Sequence, residues 1–275
     1  MKMIHYFKGL AGITLLIIPL TACTRYDQPS VNNGFLKEVV SDGSAIEIYT
    51  YNEGNLVSEA NSTYFWRKYY YNEVNQLVRE EIGVDPDIYS SSWPVKPHNE
   101  LADPTNIAMS MFTVYNYDDH GRLTEALNYV PGKGQVELRS SRTFEYNDKG
   151  LIYKELLHSG SNEVTQYRTF VYDNNGNVTE EDYYSYLFIQ GQPGPKHMSE
   201  TTYEYDAYLN PYAIFSQTGR PGRYTNQNNI TKIKVINYDP PQGIDPISLS
   251  EFTFEYNLSS GYPIRSGEGL EYIYD

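Results

Sequence analysis

The chain has 275 residues, 21 basic and 35 acidic side chains, a formal charge of −14 at neutral pH, one cysteine and 29 tyrosines. So acidic a surface repels phosphate backbones and argues against a nucleic-acid partner. A single cysteine excludes an intramolecular disulfide and a thiolate metal cluster, so core packing and backbone ladders must hold the fold together.

Residues 1–22 read as a secretory signal peptide. Lys2 and Lys8 precede an apolar run from Ala11 to Leu20, too short for a hydrocarbon layer that takes about 20 apolar residues to cross. The stretch Leu20-Thr21-Ala22-Cys23 resembles the lipobox of bacterial lipoproteins. That resemblance implies a diacylglyceryl group on Cys23, cleavage before it, and attachment of the mature chain to a membrane through that lipid. Loss of residues 1–22 removes two lysines and no acids, leaving 19 basic against 35 acidic residues, a charge of −16. Residues 23–44 are then the lipidated N-terminus and a polar, Asn- and Pro-bearing tether, and 45–275 form one β-rich domain, a normal length for a single all-β fold.

Within that domain aromatic residues recur two apart: Tyr49/Tyr51, Tyr69/Tyr71, Tyr115/Tyr117, Phe144/Tyr146, Phe170/Tyr172, Tyr203/Tyr205, Phe254/Tyr256 and Tyr272/Tyr274. A spacing of two puts both rings on one face of a strand. Asn or Asp follows the second ring every time, at 52, 72, 118, 147, 173, 206, 257 and 275. In three units Gly121, Gly150 and Gly176 come three residues later, which predicts a hairpin whose Asx side chain bonds the backbone ahead while Gly takes the positive φ. Asn52-Glu53-Gly54, Val74-Asn75, Leu209-Asn210-Pro211 and Ser260-Gly261 depart from that turn, so the aromatic strand and its Asx exit are read as the shared requirement rather than one turn geometry. Second aromatics lie 20, 46, 29, 26, 33, 51 and 18 residues apart, which excludes helical solenoids of constant period.

The phrase resembles the YD repeat of Rhs-type and teneurin-like shells, most clearly at Tyr117-Asp118-Asp119-His120-Gly121-Arg122-Leu123 and Tyr172-Asp173-Asn174-Asn175-Gly176-Asn177-Val178. With Gly261-Tyr262-Pro263 after a Tyr-x-Tyr strand, the carboxyl-terminal third is similar to DUF4595-like lipoproteins of the Bacteroidetes envelope. The resemblance implies an uncharacterised Gram-negative envelope lipoprotein, of the outer membrane, facing the periplasm or the cell surface. Full Rhs shells are several times longer and enclose a toxin, which this chain does not match.

The expected fold is all-β: a twisted antiparallel meander of these hairpins curling around an aromatic face. Inserts at 82–106, 191–197 and 216–229 interrupt it and are expected to cover sheet edges.

No nucleophile elbow, zinc helix, phosphate loop or paired-cysteine site occurs, and no metal or cofactor is expected. His98, His120, His158 and His197 are scattered, and Asp173-Asn174-Asn175-Gly176-Asn177 lacks the alternating ligands and distal Glu of a calcium loop. Glu59, Glu80, Glu125, Glu155 and Glu180 recur with the repeat and are read as solvated strand ends, neutralised in places by Arg79, Arg122 and Lys154. Among aromatics outside the pairs, Tyr89, Trp93, Tyr212 and Tyr224 sit in or beside polar inserts, where rings stack on sugars or anchor partners; they are the candidate ligand-binding residues. The expected function is a noncatalytic binding module for a glycan or an envelope protein. The alternatives are a polysaccharide-active enzyme whose carboxylates come from distant repeats, and a ligand-free spacer.

Overall fold

The computed structural model describes residues 34–63, 65–84, 86, 101–103, 105–106, 108–132, 134–186 and 194–275. Residues 1–22, read from sequence as a signal peptide, and Cys23, Tyr64, Tyr89, Trp93 and His98 lie outside the described residues, as do most of the 82–106 insert and 191–193 of the second. Seventeen strands form one sheet. The first eight are β1 (Leu36–Ser41), β2 (Ser44–Tyr51), β3 (Val57–Ser62), β4 (Phe65–Tyr71), β5 (Leu77–Val84), β6 (Ala108–Tyr117), β7 (Leu123–Pro131) and β8 (Val136–Tyr146). The rest are β9 (Ile152–Ser159), β10 (Val164–Tyr172), β11 (Val178–Ser185), β12 (Lys196–Leu209), β13 (Asn228–Asn237), β14 (Ile247–Glu251), β15 (Phe254–Asn257), β16 (Tyr262–Ser266) and β17 (Glu271–Tyr274).

Every ladder is antiparallel and joins neighbours in sequence, from β1–β2 through β13–β14, with β15–β16 and β16–β17 following. β17 then pairs with β1. The sheet therefore curls until its two ends meet. The seam is one extended run, 247–257: Phe252 N–H still donates to Thr231 O beside β13, and Thr253 O already accepts Gly267 N–H beyond β16. The sheet begins earlier than the 45–275 domain read from sequence. Leu36 and Val39, in the stretch read as tether, are buried at 0 and 1% exposure because β1 closes the circuit with β17.

Five hairpins share one turn. At Asn52, Asn72, Asp118, Asn147 and Asp173 the side-chain Oδ1 accepts the backbone N–H groups two and four residues ahead. The left-handed position is held by Asn55 and Asn75 where the other three use Gly121, Gly150 and Gly176. The apparent drift in the first two units is thus a substitution within one geometry, since Asn tolerates positive φ better than other side chains. The phrase around Asp206 is different: the chain does not turn there, and β12 runs on to Leu209.

The second aromatic is tyrosine in all eight units, and the structure gives the reason. The hydroxyls of Tyr51, Tyr71, Tyr117, Tyr146, Tyr172, Tyr205 and Tyr274 donate to the carbonyls of Leu36, Val57, Leu77, Leu123, Ile152, Val178 and Pro263, each on the preceding outgoing strand. Tyr256 donates to Asp206 instead. Each bond ties one hairpin to the one before it and is worth about 0.5–1.5 kcal/mol net. The first aromatic makes no such bond, so Phe serves at 144, 170 and 254.

A β-bulge follows each of these five turns. Ser58, Val78, Thr124, Tyr153 and Thr179 have no partner in the register, and the outgoing strand changes face there. Ala60, Glu80, Ala126, Glu155 and Glu181 consequently lie directly opposite Tyr49, Tyr69, Tyr115, Phe144 and Phe170 on the aromatic face. Glu80 and Glu155 are therefore buried, at 5 and 7% exposure, rather than solvated. Their partners are Arg67 at 2.9 Å and Arg142 at 3.2 Å. Glu181, not Glu180, completes the series with Arg168 at 2.8 Å. Arg79, Arg122 and Lys154 pair elsewhere, with Glu81, Asp118 and Glu145.

The third insert does not cover an edge. After Asn210 the chain enters the enclosed side as a 3₁₀ segment, Pro211–Thr218, capped by Asn210 Oδ1 on Tyr212 N–H. Tyr212 and Phe215 join Leu36, Tyr49, Tyr69, Leu77, Tyr115, Leu123 and Phe144 in the core. The return leg is stitched by asparagines. Fully buried Asn226 accepts Val178 N–H and donates to Tyr205 Oη, while Asn177 Oδ1 accepts Gln227 and Asn228 N–H.

Candidate binding site

Ala60 stands opposite Tyr49 where other hairpins carry Glu, and next to it lies a cavity of about 190 Å³. Its wall from the sheet comprises Glu47, Tyr49, Ala60, Asn61, Ser62, Phe65, Arg67, Tyr69 and Glu80; the 210–229 plug adds Tyr212, Phe215, Thr218, Arg220 and Tyr224. Phe215 packs its ring 5.4 Å from Tyr49, 5.8 Å from Tyr69 and 5.5 Å from Tyr224 between centroids. The Arg223 guanidinium sits 3.8 Å over the Tyr212 ring.

Of the sequence candidates, Tyr212 and Tyr224 both line this cavity, Tyr212 as a core residue. Tyr89, Trp93 and Cys23, the residue expected to carry a lipid, lie outside the described residues. Glu47, Asn61, Arg67, Glu80 and Arg220 are site residues that reasoning from sequence did not single out for binding; the signal available for two of them was the 13-residue interval from Arg67 to Glu80, repeated at Arg142/Glu155 and Arg168/Glu181.

The polar groups differ in how they are occupied. Glu80 takes Arg67 Nη1 on one oxygen at 2.9 Å and the Tyr115 hydroxyl on the other at 2.7 Å. Glu47 takes the Tyr49 hydroxyl. Burial, reinforced by these carboxylates, holds the Tyr49 and Tyr115 phenols well above their ordinary pKa; burial does the same at Tyr69 and Tyr212. All four remain protonated donors at neutral pH. Asn61 donates Nδ2 to Ala102 O at 3.0 Å, which fixes the amide, and its Oδ1 is buried without a partner among the described residues. Arg220 lines the cavity and has no ion-pair partner among the described residues.

On the face opposite Phe170, Tyr167 stacks on Tyr184 and Tyr184 on His197, each at 4.5 Å, and Tyr238 lies 4.5 Å from His197. His197 also meets Asp182 at 2.8 Å. These rings stack on one another, which leaves their edges outward.

The fold and cavity define an all-β protein with an aromatic-lined internal pocket. No protein-family model matches the chain, and no curated protein does. Among solved structures it is similar to a porin-like protein from Bacteroides uniformis, at 11% identity over 89% of this chain and 99% of that one, TM-score 0.37. A porin-like protein from Bacteroides vulgatus gives 11% identity, 88% and 99% coverage and a TM-score of 0.39. A Photorhabdus luminescens Tc holotoxin pore gives 13% identity and a TM-score of 0.30 over 76% of this chain, which spans only 10% of that chain. At these values what the cavity does has to be argued from its own residues.

Proposed function

We propose that the protein is a noncatalytic, lipid-anchored envelope protein that binds a saccharide in this cavity. The observation that carries the reading is a pocket walled by the rings of Tyr49, Tyr69, Tyr212, Phe215 and Tyr224, with Asn61, Arg67 and Arg220 among its polar lining residues. A sugar's C–H face packs on rings such as Tyr224 while its hydroxyls meet polar groups between them. At about 190 Å³ the space is below the roughly 300–1,000 Å³ usual for drug-sized ligands, so it suits one sugar ring, such as a chain end. The noncatalytic reading is supported by Glu80, whose two oxygens are both engaged.

Calorimetric titration with a panel of mono- and oligosaccharides tests this. A saturable signal, weakened about tenfold by Tyr224→Ala, is expected for the loss of one stacking ring. Silence across the panel would refute the saccharide reading and turn the search to envelope protein partners. The enzyme reading keeps one observation in its favour, that Glu47 and Glu80 line the same cavity; release of reducing ends during the titration, abolished by Glu47→Gln, would establish it. The anchor is tested separately: palmitate labelling and membrane association should vanish in Cys23→Ala, and an unaltered membrane fraction would refute it.

A further inference from the structure

Three arginines of the aromatic face follow a rule that the plug's Arg220 and Arg223 do not. Arg67, Arg142 and Arg168 each meet a Glu 13 residues downstream. Arg220, brought in by the plug between Gly219 and the Arg223–Tyr212 stack, has no such carboxylate, although it lines the cavity. The two acids that share the cavity with it do not compensate it. Glu80 is divided between Arg67 and Tyr115, and Glu47 holds the Tyr49 hydroxyl.

We propose that the cavity selects an acidic saccharide, a sugar ring bearing a carboxylate, with Arg220 binding the carboxylate. This rests on the saccharide reading above and adds the class of sugar. A guanidinium and a carboxylate match as a planar two-donor, two-acceptor pair. The net charge of −14 opposes an anion at long range, but exposed charges farther than about 8 Å are largely screened at physiological salt. Glu47, which holds only a neutral hydroxyl, lies in the same cavity and opposes an anion as well, so the preference rests on the direct two-point contact with Arg220.

Galacturonate and galactose, which differ in the carboxylate, are titrated into the protein and into Arg220→Gln. Galacturonate should bind about tenfold tighter than galactose, a gap that narrows as salt rises. Arg220→Gln should bring the acid down to the affinity of the neutral sugar and leave galactose within about twofold, and Arg220→Lys should restore part of the preference. Because Arg220 is exposed at the cavity edge, the fold should survive these changes. Galactose binding as tightly as the acid, or an acid preference that survives in Arg220→Gln, would overturn this inference and leave the saccharide reading standing. Failure of both sugars, and of the wider panel, would overturn both.

Discussion

Glu155→Gln should destabilise the protein by about 3–5 kcal/mol, the cost of stranding a buried charge. The substitution leaves the Arg142 guanidinium inside without its counter-charge. Arg142 is 7% exposed, its Nε is already without a partner, and its one ionic contact is the 3.2 Å bond that this substitution weakens. The three Arg–Glu pairs are alike in chemistry and spacing but not in burial, so they form an internal control. Side-chain exposure is 8 and 10% for Arg142/Glu155, 35 and 6% for Arg67/Glu80, and 39 and 22% for Arg168/Glu181. Urea denaturation of the three Glu→Gln variants should therefore rank the losses Glu155, then Glu80, then Glu181, the last within about 1 kcal/mol of the parent. Replacing both partners, Arg142→Met with Glu155→Leu, should recover most of the loss, because a buried pair exchanged for apolar groups of similar volume is often neutral. Equal losses at all three sites would show that burial is not what sets the cost.

Gly219→Ala is the second large effect, about 2–5 kcal/mol with loss of ligand binding. Gly219 has φ +66°, which costs an L residue about 1–2 kcal/mol. A Cβ there would stand 2.3 Å from Leu123 Cδ2 and 3.1 Å from Phe144 Cζ, and overpacking of that kind adds about 1–3 kcal/mol. The contacting atoms end side chains that are themselves buried, so relief comes at the expense of their core packing or of the plug's position. Phe215, Thr218, Arg220 and Tyr224 surround Gly219 in the chain and line the cavity, so a displaced plug removes one wall of the site. Gly134→Ala is the matched control: φ is +83° there, but nothing lies within 4 Å of the added carbon. Thermal melts should show a much smaller drop for it, and an equal drop would mean that the close approach at Gly219 carries no cost of its own.

Local rules were enough to read the strands. The Tyr-x-Tyr spacing, the Asx exit and the Gly three residues later each act within a few residues, and the five turns obey them. The all-β meander followed from that alone. Three features depended on what no local pattern contains. A bulge after each turn inverts the inside–outside alternation, so Glu80 faces Tyr69 where strict alternation from Leu77 would have placed Arg79 and Glu81. Counting by twos along β5 or β11 puts the wrong carboxylate inside.

The pairing of β17 with β1 joins residues at opposite ends of the chain and draws 36–41 into the sheet. Polar composition near the N-terminus gives no hint of a partner more than 200 residues away. The run from Asn210 to Asn229 looks like a loop because it is rich in Gly, Asn and Arg, yet asparagine amides can replace a strand's ladder when they meet backbone groups, as Asn177, Asn210 and Asn226 do. Sequence alone thus determined the repeating hairpin, through contacts between near neighbours. Which side chains share an interior, and so where a cavity with an unmatched arginine lies, was decided by the tertiary structure, because only the docking of the 210–229 plug on the enclosed side brings Arg220 to Glu47 and Arg67.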